Sequence, residues 1–166
     1  FQSVSPEVAK FLNAASFGVG LVAITSLGGE LFTGNCLTTI IPVLDGKLPF
    51  LKLKWTWIIC FLGNLFGISF LVFLFYLSGS LQETIQPYVL QTFQTKLAVP
   101  VGQLILRSIL CNFMVCLAAF ASMKINDGFT RTTIMFLMVM AFVFAGMEHC
   151  IANIGTFTLA LLYDFS

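Results

Sequence analysis

Charged side chains are what this 166-residue chain has least of: eight Lys or Arg and seven Asp or Glu, 9% of the residues, where a soluble domain carries about 25%. With 58% hydrophobic residues, nineteen Phe and a mean hydropathy of +0.99, too little polar surface exists to cover a globule in water. Lipid is therefore part of the solvent. The basic residues are scattered and the formal net charge is +1, which excludes nucleic acid as a partner, because phosphate binding needs clustered Lys or Arg. Paired cysteines are missing too. Cys36, Cys60, Cys111, Cys116 and Cys150 lie in apolar stretches without zinc-ligand or disulfide spacing, and they read as small buried thiols; no metal and no cofactor is expected. Cys150 follows the single His149, but neighbours on a helix point about 100° apart. One His and no second ligand set also leave an enzyme without its parts. The start has no basic region before an apolar stretch, so it is not a signal peptide, and it opens on Phe1 rather than Met; the chain reads as a piece of a longer protein.

What is present is long apolar runs. A spanning helix needs about 20 apolar residues, and residues 11–44, 55–77, 101–123 and 132–163 all exceed that. The first and last are longer than tilt comfortably absorbs and carry polar clusters near their middles, so each is expected to be two half-helices joined by a break. Trp55 and Trp57 open the second run at interfacial depth, and Gly63-x-x-x-Gly67 offers a face for close helix approach. Asn64 between those glycines reads as an interhelical hydrogen-bonding group rather than a ligand. Lys47, Lys52 and Lys54 in the loop 45–54, and Lys124 and Arg131 after the third run, place those loops in the cytoplasm; the polar connection 78–100 then lies outside.

The two polar clusters form an internal repeat. Gly28-Gly-Glu30-Leu-Phe-Thr-Gly34-Asn35 matches Gly146-Met-Glu148-His-Cys-Ile-Ala152-Asn153 with every shared polar position at the same spacing. Under the topology above the copies are antiparallel, and inverted repeats with discontinuous helices are a plan of transporters, in which half-helix N-termini face an anion. Gly28 and Gly146 permit irregular backbone, and Asn35 and Asn153 can satisfy groups freed where a helix unwinds. Glu30 and Glu148, in apolar surroundings, are read as bonding to those freed amides rather than to an anion, which a carboxylate would repel. His149 stands where the first copy has Leu31, a titratable group breaking the symmetry at a mid-membrane break, and is the functional candidate. Phe17, Leu21, Leu31, Phe32 and Phe142 flank the breaks as constriction candidates, against the alternative of packing or lipid-facing rings.

These motifs resemble the formate/nitrite transporter family: Glu30 to Asn35 its first broken-helix signature, Gly146 to Asn153 its second, and Leu106 to Ala118 its fourth helix. The resemblance covers essentially the whole chain and implies an all-α, aquaporin-like inverted-repeat bundle in a homopentamer, each protomer with its own pore for a small monovalent anion such as formate, nitrite or hydrosulfide. It implies a multi-pass protein of a bacterial inner or plasma membrane, and a single transmembrane domain over 1–166 equivalent to helices two to five of the family's six. By position, His149 matches the pore histidine, Lys96 and Asn112 the polar residues of the fourth helix, and Thr33 a place beside the loop after the first half-helix. The five apolar candidates fall at the family's constrictions. Either passive anion flow or crossing as the neutral acid, with protons as partners, fits the family; neutralising the anion would remove most of its desolvation cost, with Lys96 or His149 assisting. The run from Lys96 to Ala118, including Arg107, resembles nitrite and hydrosulfide members slightly more than formate ones, although Arg107 also fits a structural, snorkelling role. The alternative is a non-conducting membrane scaffold or accessory subunit, which would not need polar groups at two breaks.

Overall fold

The computed structural model describes residues 5–80 and 82–164; the extreme ends of the expected 1–166 domain lie outside the described residues. Those residues form seven helices: α1 (Pro6–Ser26), α2 (Phe32–Leu44), α3 (Phe50–Leu77), α4 (Gln82–Leu97), α5 (Val101–Lys124), α6 (Gly128–Phe144) and α7 (Cys150–Asp164). Among them α1, α3 and α5 are long and apolar enough to cross a membrane. Local chemistry sets the ends. Ser5 accepts the Val8 N–H at 3.4 Å with Pro6 beginning α1, and Asp127 accepts the Thr130 N–H at 2.7 Å to start α6.

The first and last of the four apolar regions are each two helices. Five residues separate the end of α1 from the start of α2, and five separate α6 from α7. The two stops share one hydrogen-bond scheme. Leu27 N–H bonds to Ala23 O, Gly28 N–H to Thr25 O and Gly29 N–H to Ile24 O; Ala145, Gly146 and Met147 bond likewise to Ala141, Val143 and Phe142. This is the Schellman termination, whose left-handed residue is Gly28 in one copy (φ +76°) and Gly146 in the other (φ +72°). The restarts match as well, Asn35 N–H reaching Leu31 O and Asn153 N–H reaching His149 O, each at 2.9 Å.

α1 packs along α6, which also packs on α5. Lys10 lies over the Phe144 ring, and the Phe136 ring sits so close to Gly18 that a Cβ there would fall 2.8 Å from it. The contacts run in opposite sequence order, so the two helices are antiparallel. α3 serves both halves. Its first half holds α2, through Trp57 Nε1 donating to Thr39 Oγ1 at 2.8 Å, and its second half holds α7, with Ile68 against Gly155 and Ser69 Oγ 3.3 Å from Thr158 Oγ1. The polar connection 78–100 folds as α4, docked on α7 through Val89 and the edge-on pair Phe93–Phe157.

The cysteine expectation fails in part, and the Gly63–Gly67 face takes no helix of the described residues. No heavy atom of the described residues lies within 4 Å of a Cβ placed on Gly63 or Gly67, so that small-residue face is open; α3 meets its neighbours through Trp57, Asn64 and Ser69 instead. Of the five cysteines only Cys111 is buried, Cys36, Cys60 and Cys116 are intermediate, and Cys150 is exposed.

Candidate functional site

The centre of the molecule is an apolar cluster of Leu21, Cys111, Val115, Val139 and Phe142, with Phe17 and Leu31 packed against it. Four of the five expected constriction residues, Phe17, Leu21, Leu31 and Phe142, are therefore together. Phe32 is not with them. It turns to α3, edge-on to Phe61 at 5.3 Å and Trp57 at 6.4 Å between ring centroids, because the first turn of α2 presents successive residues to different faces.

Against this cluster sits His149, 6% exposed. Its ring stacks on Phe142 (centroids 5.8 Å, planes 14° apart) and meets Phe17 edge-on at 6.0 Å. Nδ1 lies 3.1 Å from the Ala152 N–H, which donates to it; the ring thus caps α7, satisfying a donor that a helix start leaves unpaired. With Nδ1 accepting, the neutral ring carries its proton on Nε2, and Nε2 lies 3.2 Å from Oγ1 of buried Thr33. Thr33 is the second residue of α2. The N-terminal, electropositive ends of α2 and α7 consequently meet at the Thr33–His149 pair.

Glu148, also 6% exposed, is ion-paired to Lys96 Nζ and accepts from Asn153 Nδ2 at 2.9 Å. This corrects the expectation that the repeat's carboxylates bond to backbone amides. The Glu30 carboxylate departs further: Glu30 is exposed, and among the described residues its side chain has no ion-pair or hydrogen-bond partner. Asn35 does not mirror Asn153 either, donating to Cys60 Sγ at 3.3 Å and accepting from Thr38 Oγ1 at 3.3 Å. The backbone groups before α2 are met by Asn64 of α3, whose Oδ1 accepts from Phe32 N–H and whose Nδ2 donates to Glu30 O, each at 3.0 Å. Asn64 is the interhelical bonding group its neutral amide implied. Its partners could not be read from sequence, since they lie more than thirty residues away.

Lys96 and Asn112 do not share a helix: Lys96 lies in the last turn of α4 and Asn112 within α5. The break at residues 98–100, ending in Pro100, sets them on separate elements. Among the described residues Asn112 reaches the site through Cys116, with Nδ2 3.7 Å from that sulfur, which is in turn 4.0 Å from Thr33 O. Cys116 had no sequence signal beyond its apolar setting. Arg107 has no acidic partner among the described residues.

A cavity of about 300 Å³ opens on each side of the cluster. One is walled by Phe17, Phe142 and His149, with Lys96, Asn13, Tyr88, Thr92 and Thr156. The other is walled by Leu21, Leu31 and Val115, with Glu30, Asn35, Thr38, Ser122 and Arg131.

Comparison with known proteins gives this arrangement its relatives. The family model for formate/nitrite transporters matches residues 1–165. An uncharacterized transporter of Bacillus subtilis, YwcJ, is 32% identical over 152 residues, covering 91% of this chain and 59% of the relative. Formate-nitrite transporter 3 of Toxoplasma gondii is 34% identical over 163 residues, covering 97% and 33%. Among solved structures, a pentameric formate channel with formate bound superposes with a TM-score of 0.84 at 28% identity, over 98% of this chain and 65% of that one. The chain spans about half the length of the curated relatives it matches. By sequence across its whole length and by fold, the chain belongs to the formate/nitrite transporter family.

Proposed function

We propose that this chain forms the pore-bearing part of a multi-pass membrane protein that transports small monovalent anions of the formate, nitrite or hydrosulfide type. The observation that carries this reading is the Thr33–His149 pair, 3.2 Å apart, at the N-termini of two helices and between two cavities. Helix starts attract anions. The Nε2–H and the threonine hydroxyl are the hydrogen-bond donors there, and the Phe and Leu side chains around them disfavour hydrated ions. Lys96, ion-paired to Glu148, lines one cavity as a polar group, and Asn112 supports Thr33 through Cys116.

In this reading the two helix pairs α1–α2 and α6–α7 are broken transmembrane helices of an inverted repeat, and the chain is one transmembrane domain equivalent to helices two to five of six. Gly28, Gly146, Glu148 and Asn153 shape the breaks, with Asn64 of α3 holding the backbone before α2. The Lys-rich loop 45–54 and the Arg131 end of α6 face the cytoplasm of a bacterial inner or plasma membrane, and five copies assemble as in the pentameric relative. Phe17, Leu21, Leu31 and Phe142 are the constriction. An anion that takes up a proton from the water of the cavity crosses them at far lower desolvation cost, the Nε2–H of His149 assisting as a hydrogen-bond donor.

The test is reconstitution of the complete gene product in liposomes, comparing uptake of formate, nitrite, hydrosulfide and lactate. His149→Leu is expected to lower flux about ten- to a hundredfold, the loss of a buried hydrogen bond to charge, and to change its pH profile. Wild-type protein that moves none of the four would overturn transport and leave the scaffold reading. Flux in the variant with an unchanged pH profile would remove the histidine's role alone.

A further inference from the structure

The cavity beyond Leu21 and Leu31 holds two charges that the other described residues leave unmatched. Arg131, in the first turn of α6, and Glu30, just before α2, both line it, and among the described residues neither side chain makes an ion pair or hydrogen bond. The opposite cavity differs, because its Lys96 is already paired with Glu148. Charge in a cleft with low-dielectric walls acts strongly on an entering ion, and a partner that neutralises it removes most of that effect. A guanidinium also presents a fork of donors matched to a two-oxygen anion.

We propose that Arg131 and Glu30 act as opposed charge-selecting residues of this cavity, Arg131 raising and Glu30 lowering the local concentration of the anion. The inference rests on the transport reading above and assigns its affinity on one face of the membrane to a pair that does not touch the Thr33–His149 site. It differs from a snorkelling arginine, which fixes depth in the bilayer and leaves substrate affinity unchanged.

The experiment measures formate flux by the complete protein in liposomes, loaded on one face at a time, at low and at high ionic strength. Arg131→Gln is expected to raise KM on the Arg131 face about three- to tenfold at low ionic strength, with a smaller effect in high salt. KM on the other face and the maximal rate stay unchanged, and Arg131→Lys recovers most of the loss. Glu30→Gln moves the same KM downward. A KM that does not change in Arg131→Gln, or that changes equally on both faces, overturns the proposal. The unchanged face serves as the folding control for each variant. Wild-type protein without flux would overturn the transport reading and this inference together, whereas wild-type flux with a face-independent effect overturns this inference only.

Discussion

His149 shows how one side chain takes two duties from its position. It stands directly before α7, as Leu31 stands before α2, and its carbonyl accepts the same first helical bond; but its Nδ1 also accepts from Ala152, which a leucine cannot do. The cap fixes the tautomer and so aims the Nε2–H at Thr33. That asymmetry was visible in the sequence as Leu31 against His149, whereas the partner Thr33, 116 positions away, was not. A smaller cap makes a sharper thermodynamic test. Asp127 lies in the turn before α6, fully exposed, and the bonds from Thr130 hold its carboxyl below the ordinary value of 3.8. A lowered pKa in the fold means a contribution present in full above that ordinary value and lost as pH falls through the folded one. Asp127→Ala is therefore expected to lower the melting temperature in detergent at neutral pH, with the difference from wild type vanishing in acid. Asp127→Asn, a neutral cap, should stay close to wild type across that range.

Helix ends were legible because glycine spacing is a local property. Gly28 and Gly146 occupy the left-handed position of two identical terminations, where an L side chain costs about 1–2 kcal/mol. Among the described residues none beyond the chain neighbours lies within 4 Å of a Cβ at either position. Gly146→Ala and Gly28→Ala should each destabilise by about that amount, and nearly equally, in chemical denaturation followed by tryptophan fluorescence; an effect at one alone would break the structural equivalence of the copies. α4 was far less legible. Its mixed Gln, Thr and aromatic content reads as a polar connection, and the helix is held by Val89 and Phe93 against α7, contacts with no signature in the connection itself. The same holds for Lys96, which lies at the C-terminal end of α4 beside Glu148 and away from the helix that bears Asn112.

Across the whole molecule α3 joins the two halves, and Asn64 near its middle is the polar joint. It meets a donor and an acceptor on either side of Leu31, so Asn64→Leu leaves the part-buried Phe32 N–H unmatched, at about 1–3 kcal/mol, while the exposed Glu30 carbonyl turns to solvent. The variant should melt earlier in detergent, and Asn64→Asp, which keeps the acceptor and loses the donor, should fall between it and wild type. Similar thermal stability for all three would show that Asn64 contributes nothing to this joint. Elsewhere α3 and α5 present broad apolar faces, among them Phe66 at 68% exposed, and Gly63 and Gly67 open onto the same region. Such faces are stable only against lipid or further protein.

The sequence by itself determined the solvent, the four apolar regions, the two interruptions and the repeat, because hydrophobic length, glycine conformation and residue spacing act over a few turns of chain. It also marked His149 as the one position where the copies differ in chemistry. Only the tertiary structure decided which polar groups meet. Glu148 took Lys96 from another helix while Glu30, its counterpart, stayed outside the core; Asn64 took the backbone groups that Asn35 was expected to take; and Phe32 left the apolar cluster for α3. The two copies begin and end alike but pack against different neighbours, α2 on α3 and α5, α7 on α3 and α4. Equivalent residues of a repeat share a backbone, but each side chain bonds to whatever its own surroundings supply.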